Sequence, residues 1–223
     1  MRIRDIPGPA GRLEAILEEP PTVGGVNDEG LLERGRSSGL RAAVVLAHPH
    51  PQYGGTMHTK VVYQAAKAFT RIGCAVLRFN FRGVGTSEGS WDEGRGEMDD
   101  FRAGVAFMSD RYRDLPMWSA GMSFGAWISL TVGAEDAGIS TLLGIAPPLS
   151  RYDFERVRAS EKPKFYIQGE RDELCPLKEM QEFYARSSDP KELVVVDAAD
   201  HLFDGKVLEV GDAIEDLLGD WNG

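Results

Sequence analysis

One stretch of the sequence indicates the fold of this chain: Trp118-Ser119-Ala120-Gly121-Met122-Ser123-Phe124-Gly125-Ala126. Within it, Gly121, Ser123 and Gly125 have the spacing Gly-x-Ser-x-Gly. Apolar residues predict a short buried strand over 115–118 and a buried helix after the stretch. A serine on a sharp turn between a strand and a helix is pushed outward, and the flanking glycines let the two backbones approach closely. The pattern therefore indicates an exposed serine hydroxyl whose chemistry depends on the rest of the chain.

Apolar runs elsewhere in the chain predict further buried strands, and helical patterns separate them. The runs are 42–47, 74–79, 140–146, 164–168 and 192–196. Strand and helix alternate from residue 40 onward, which predicts an α/β fold with a mostly parallel central sheet and helices on both faces. Functional groups collect at the carboxyl ends of the strands in such sheets. Ser123, Asp172, His201 and the loop 48–55 each follow a predicted strand.

Length and composition bound the function. The 223 residues are expected to form one domain, 1–223, with residues 20–39 as a surface loop. Lys and Arg number 25 against 35 Asp and Glu, and the resulting net charge of −10 argues against nucleic acid or an anionic membrane as a partner. Two cysteines suggest no disulfide framework, and the N-terminus lacks the apolar core of a signal peptide. A cytoplasmic location is expected.

A nucleophilic serine needs a base, and the base needs a carboxylate that fixes its tautomer. His201 is the only histidine after Ser123, and it lies on a predicted strand-to-helix loop. Asp172 lies between them in the sequence. Each residue also has a plainer interpretation: Ser123 suits a helix N-cap, Asp172 a turn aspartate, and His201 a surface-loop histidine. Other acidic residues compete for the orienting role, namely Glu170, Glu173 and Asp197.

Five motifs together resemble the α/β-hydrolase family over nearly the whole chain. The motifs are His48-Pro49-His50-Pro51 with Gly54-Gly55, Phe81-Arg82-Gly83-Val84-Gly85-x-Ser87, Gly121-x-Ser123-x-Gly125, Gly169-x-x-Asp172 and Asp200-His201. They look most like the small, compact branch near the dienelactone-hydrolase-like proteins. Dienelactone hydrolases proper use a cysteine nucleophile, whereas this chain has Ser123, which favours ordinary ester chemistry. The resemblance implies an α/β-hydrolase fold, and only about seventeen residues separate Ala146 from Lys164, so no substantial cap domain is expected.

An oxyanion hole requires two backbone N–H donors. Phe124, the residue after the serine, is expected to supply one. The loop 48–55 is expected to supply the other, from His50 or Gln52, since proline has no N–H. The family's His-Gly-x motif favours His50. His48 is expected to bond the loop backbone, with metal binding by the two histidines as a weaker alternative because no third ligand is evident.

Several other residues have two interpretations each. The loop 81–89 contains Gly-x-Gly but lacks the remaining residues of a phosphate-binding motif, so a tight structural turn is expected. Arg82 either forms a buried salt bridge or lines the pocket. Cys175 precedes Pro176 and has no histidine near it in the sequence, which favours a packed core residue over a reactive thiol. Tyr53 and Trp91 either form pocket walls or pack within their loops.

The sequence as a whole predicts a serine carboxylesterase that acts on short-chain acyl esters through Ser123, His201 and Asp172. A thioesterase or a peptidase would use the same groups. A non-catalytic binding module with this fold is the alternative from a different class. No cofactor and no metal are expected, the partner is a small-molecule ester, and the chain is expected to be a monomer or a homodimer.

Overall fold

The computed structural model describes residues 5–21 and 39–221. Residues 22–38, most of the predicted surface loop 20–39, lie outside the described residues. The strands are β1 (Asp5–Gly8), β2 (Gly11–Glu18), β3 (Ala43–Ala47), β4 (Ala75–Phe79), β5 (Met117–Met122), β6 (Ile139–Ile145), β7 (Lys164–Gly169) and β8 (Lys191–Val196). The helices are α1 (Lys60–Arg71), α2 (Arg95–Arg111), α3 (Phe124–Glu135), α4 (Glu155–Ala159), α5 (Leu177–Arg186) and α6 (Val207–Leu218). None of these helices is both long enough and apolar enough to cross a membrane.

The strands form one sheet in the order β1-β2-β4-β3-β5-β6-β7-β8. β1 and β2 pair antiparallel with each other, and β2 pairs antiparallel with β4. From β4 to β8 in the strand order, every neighbouring pair is parallel. All five residues of β3 are buried, because the strand lies at the centre of the sheet and is covered on both faces. The predicted mostly parallel sheet is confirmed.

Alternate residues of the strands build two cores, one on each face of the sheet. On one face, α1 and α6 bring in Phe69 and Val210, which pack with Val44 of β3. On the other face, α2 and α3 bring in Phe101 and Leu130. Helices therefore cover both faces, as the alternation of elements predicts, and the carboxyl ends of the parallel strands stay open for functional groups.

Two elements differ from the sequence prediction. β5 extends to Met122, beyond the strand expected over 115–118, and so leads directly into Ser123. The segment between β6 and β7 contains the five-residue helix α4, which the periodicity did not predict. Val157 is the one buried residue of α4, too little apolar surface to give a helical pattern. The segment holds no other helix or strand, in line with the expected absence of a cap.

Arg82 forms a buried salt bridge, which decides between its two interpretations. Its backbone N–H donates to Asp100 Oδ2 (2.9 Å), its Nε to the same oxygen (3.0 Å), and its Nη2 to Oδ1 (2.7 Å). The Asp100 side chain is fully buried in α2, and it raises the pKa of the Arg82 guanidinium. The pair anchors the loop after β4 to α2.

We expect Asp100→Ala to lower the free energy of unfolding by about 3 kcal/mol, because it leaves a largely buried guanidinium without its carboxylate. Urea denaturation measures this loss. The matched control is Asp99→Ala, which removes an exposed partner of Arg102 one residue away and should cost less than about 1 kcal/mol. Equal losses in the two variants would contradict an anchoring role for the Arg82–Asp100 pair.

Candidate active site

Ser123 occupies a strained turn between β5 and α3. Its backbone has φ 53° and ψ −122°, a left-handed conformation that is uncommon for a residue with a side chain. A Cβ on Gly121 would lie 2.2 Å from the Gly125 carbonyl oxygen, and one on Gly125 would lie 2.4 Å from the His48 carbonyl oxygen. Both flanking positions therefore require glycine. The Ser123 N–H donates to the Ile145 carbonyl oxygen (2.8 Å), which fixes the turn against the end of β6.

The structure brings Ser123, His201 and Asp172 together in one chain of hydrogen bonds. His201 Nε2 lies 2.9 Å from Ser123 Oγ, and His201 Nδ1 lies 2.8 Å from Asp172 Oδ2. A carboxylate accepts from Nδ1–H, which leaves Nε2 unprotonated and able to accept the serine proton. Ser123 stands at the N-cap position of α3, but its side chain makes no capping bond to the helix. Its hydroxyl faces the imidazole instead.

Asp172 is held as a buried carboxylate by several donors. The backbone N–H groups of Leu174 (2.9 Å) and Cys175 (2.8 Å) donate to Oδ1, and the Gln168 amide donates to Oδ2 (3.0 Å). Its side chain is fully buried. The competing acidic residues Glu170, Glu173 and Asp197 are exposed. Of the candidates, only Asp172 contacts His201 in the described chain.

Cys175 lies beside this group and is buried. Ligand atoms of Asp172, Cys175 and His201 lie within 4.8 Å of one another, a spacing that suits a metal ion. The carboxylate and the imidazole bond each other, and the thiol lies 3.5 Å from the Ala146 carbonyl oxygen. Burial raises the pKa of the Cys175 thiol, so this group stays protonated and is poorly suited to ligation or attack. The packed-residue interpretation fits these contacts.

His48 joins two loops through both ring nitrogens. Nδ1 lies 2.6 Å from the Pro49 carbonyl oxygen, and Nε2 accepts from the Phe81 N–H (3.1 Å). Burial lowers the pKa of His48 to about 4, so the ring is neutral near pH 7. With both nitrogens engaged by the backbone, metal binding would require breaking one of these bonds. The structural role expected for His48 agrees with this geometry.

The two backbone N–H groups predicted to bind the oxyanion have no acceptor among the described residues. Neither the Phe124 N–H nor the His50 N–H donates to any acceptor within residues 5–21 and 39–221. The Gln52 N–H, the other candidate, donates to His50 Nδ1 (3.2 Å) instead. Phe124 is the first residue of α3, where backbone N–H groups lack helical partners. The geometry therefore leaves His50 rather than Gln52 with an available amide.

Aromatic rings surround Phe124 and form what we call the aromatic wall. Its members are His50, Tyr53, Trp91, Phe124, Trp127 and Tyr152. The His50 and Trp91 rings lie 4.9 Å and 5.2 Å from the Phe124 ring. Tyr53 packs on His50 at 4.6 Å yet remains 82% exposed. Tyr53 and Trp91 therefore pack within the loops and also border the site.

Sequence reasoning missed two members of the aromatic wall, Trp127 and Tyr152. Their rings stack at 4.1 Å with an interplanar angle of 11°. Trp127 lies three residues after Phe124 on α3, a helical spacing that puts both rings on one face and was the only signal available in the sequence. Tyr152 follows β6 and reaches Phe124 through tertiary packing alone.

Comparison with known proteins finds the same architecture elsewhere. A family model described as serine aminopeptidase, S33, matches residues 38–153. An uncharacterized protein of Rickettsia prowazekii (strain Madrid E), RP471, is 35% identical over 199 residues, which cover 85% of this chain and 83% of that protein.

Two solved structures resemble the chain throughout its length. An alpha-beta serine hydrolase homologue from Coxiella burnetii has a TM-score of 0.84 and 33% identity, covering 97% of this chain and 98% of its own. XC6422 from Xanthomonas campestris, described as a serine hydrolase without a lid, has a TM-score of 0.84 and 31% identity, covering 99% of this chain and 94% of its own.

We expect His48 to make stability depend on pH. The pKa of His48 is about 4 in the folded chain against 6.5 for a free histidine, so below about pH 6.5 the unfolded state binds a proton that the folded state excludes. Between about pH 7 and about pH 5 this residue should remove about 2 kcal/mol from the free energy of unfolding. Urea denaturation across that range measures the loss.

Two variants show whether His48 causes this pH dependence. His48→Gln should be less stable overall but should lose about 2 kcal/mol less than the wild type on acidification. His58→Gln alters an exposed histidine and should follow the wild type. A His48→Gln variant with an unchanged pH dependence would show that His48 titrates normally in the fold.

Proposed function

Because this chain belongs to the family described as serine aminopeptidase, S33, within the α/β-hydrolase superfamily, we propose that it is a serine carboxylesterase. The fold expected from the sequence, an α/β-hydrolase fold without a substantial cap, is confirmed. The observation that carries the proposal is the hydrogen-bonded chain from Ser123 through His201 to Asp172, on a turn that presents the serine hydroxyl.

In the proposed mechanism, Ser123 Oγ attacks the acyl carbon of the ester while His201 Nε2 takes the hydroxyl proton. Asp172 holds His201 in the required tautomer and stabilises the imidazolium. The amides of Phe124 and His50 bind the oxyanion. His201 then protonates the leaving alcohol, and the acyl group remains on Ser123. Water activated by His201 hydrolyses this acyl-enzyme and releases the acid.

The surroundings of Ser123 favour a small substrate that reaches the serine without passing under a cap. The segment between β6 and β7 contributes only α4, so within residues 5–21 and 39–221 it places nothing of cap size over the site. The aromatic wall offers flat apolar surface next to the amides of Phe124 and His50, which suits a short acyl chain or an aryl group. The mechanism requires no cofactor. The proposal includes a cytoplasmic location, which fits two free, buried cysteines.

Peptide hydrolysis is the second candidate, because the matching family is described as an aminopeptidase. The same three residues would serve it, as they would serve a thioesterase. A panel of short-chain nitrophenyl esters, acyl thioesters and aminoacyl anilides, compared by kcat/KM on the purified chain, separates the three reactions. Higher kcat/KM on anilides than on esters would overturn the carboxylesterase proposal.

Ser123→Ala should lower kcat on nitrophenyl butyrate by about 10⁴-fold or more, because the attacking oxygen is lost. It should also abolish covalent labelling by a fluorophosphonate probe, followed by intact-protein mass spectrometry. Ser90→Ala, at an exposed serine in the loop before α2, is the control and should retain both properties. Undiminished labelling of Ser123→Ala would contradict the assignment, and an unlabelled wild type would favour a non-catalytic binding module.

His50→Pro tests the second oxyanion donor, because proline removes the N–H while accepting the native φ of −53°. We expect it to lower kcat by about 100-fold relative to His50→Ala, which loses the ring but keeps the amide. Near-ultraviolet circular dichroism checks that both variants keep their tertiary packing. Equal kcat values would exclude the His50 amide from transition-state stabilisation.

A further inference from the structure

The segment that follows β6 runs directly beside Ser123. The Ile145 carbonyl oxygen accepts the Ser123 N–H (2.8 Å), and the next carbonyl, that of Ala146, lies 3.5 Å from Cys175 Sγ. Further along, the Tyr152 ring lies 5.9 Å from the Phe124 ring. The segment 145–152 therefore passes between the turn that carries the serine and the loop that carries Asp172.

Arg151 lies at the end of this segment and is exposed. Its backbone N–H donates to the Pro148 carbonyl oxygen (3.0 Å), which fixes the turn. Its guanidinium has no hydrogen-bond or ion-pair partner within residues 5–21 and 39–221. The nearby Arg156 and Arg158 pair with Glu135 and Glu155. Arg151, the sequence neighbour of Tyr152 in the aromatic wall, is thus a cation without a partner in the described part of a chain with net charge −10.

The charge of Arg151 reaches groups on both sides of Ser123. It adds to the burial that lowers the pKa of His50, on the oxyanion loop. It also opposes the rise in the pKa of Cys175, on the loop of Asp172. Two acidic residues belong to the same surroundings. Glu179 raises the pKa of the Cys175 thiol, and Asp153, two residues after Arg151, accepts the Glu155 N–H at Oδ1 (2.8 Å). Neither forms an ion pair with Arg151.

We propose that Arg151 is a specificity-determining residue that binds a carboxylate carried by the ester, away from the scissile bond. This inference rests on the proposed function. A guanidinium presents a planar fork of donors that matches a carboxylate. A chain with net charge −10 repels anions in general, so a cation near the serine turn would help to concentrate an anionic ester there. The adjacent aromatic wall accommodates the uncharged part of the same molecule.

Matched ester pairs test the proposal with Arg151→Glu. One pair places the carboxylate on the acyl part: mono-(4-nitrophenyl) adipate against 4-nitrophenyl hexanoate. The other places it on the leaving group: 4-acetoxybenzoate against its methyl ester. We expect the variant to lower kcat/KM by about tenfold for the anionic member of at least one pair, chiefly through KM. The neutral members should change by less than about twofold, and added salt should weaken the wild-type preference.

The control is Arg113→Glu, which makes the same change of charge at an exposed site before β5, at the amino end of the strands. It should leave both ratios unchanged. Equal effects of Arg151→Glu on anionic and neutral esters, or the same selectivity change in Arg113→Glu, would overturn the inference.

A second measurement does not depend on ester turnover. Adipate should protect Ser123 from a neutral fluorophosphonate in the wild type, and protection should require about tenfold more adipate in Arg151→Glu. Identical protection in the two proteins would refute carboxylate binding by Arg151. The proposed function fails separately, if Ser123→Ala retains activity on the neutral esters.

Discussion

The close contact between the serine turn and the loop after β3 is the constraint on which the site depends. Gly125 lies against the His48 carbonyl and Gly121 against the Gly125 carbonyl, so neither position has room for a Cβ. This approach holds Ser123 at a positive φ that costs on the order of 1–3 kcal/mol, offset by the packing around it. The same contact joins the serine turn to the loop 48–55. Ser123 and the His50 amide, the proposed oxyanion donor, are therefore positioned by one packing arrangement.

Much of the fold could be predicted, because buried central strands have a continuous apolar sequence. β3 is fully buried and was recognised in this way. The predicted strand 115–118 ends before the last four residues of β5, Ser119 to Met122, because their small residues are typical of a turn. Ala120 and Met122 pack in one core, whereas Gly121 is buried by close approach to the Gly125 backbone. α4 was missed because one buried side chain gives no helical period.

The site could be predicted where each residue follows a strand, since topology alone brings such residues to one edge of the sheet. That rule placed Ser123, Asp172 and His201 together. It could not decide the partner of Arg82, because Asp100 projects from α2 and their pairing depends on how that helix docks. It could not find Tyr152 or assign Arg151 for the same reason. Contacts between a loop and an element distant in sequence produce no periodic pattern from which they could be predicted.

His48 and His201 show how solvation divides roles between identical side chains. His48 is fully buried, its two nitrogens are engaged by backbone groups, and its pKa of about 4 keeps it neutral. It can therefore fix the geometry of the loop 48–55 but cannot exchange protons near pH 7. His201 retains some exposure, and its two ring nitrogens face the Asp172 carboxylate and the Ser123 hydroxyl. In the proposed mechanism, the proton of Ser123 therefore passes to His201, which bonds a carboxylate, and His48 does not compete for it.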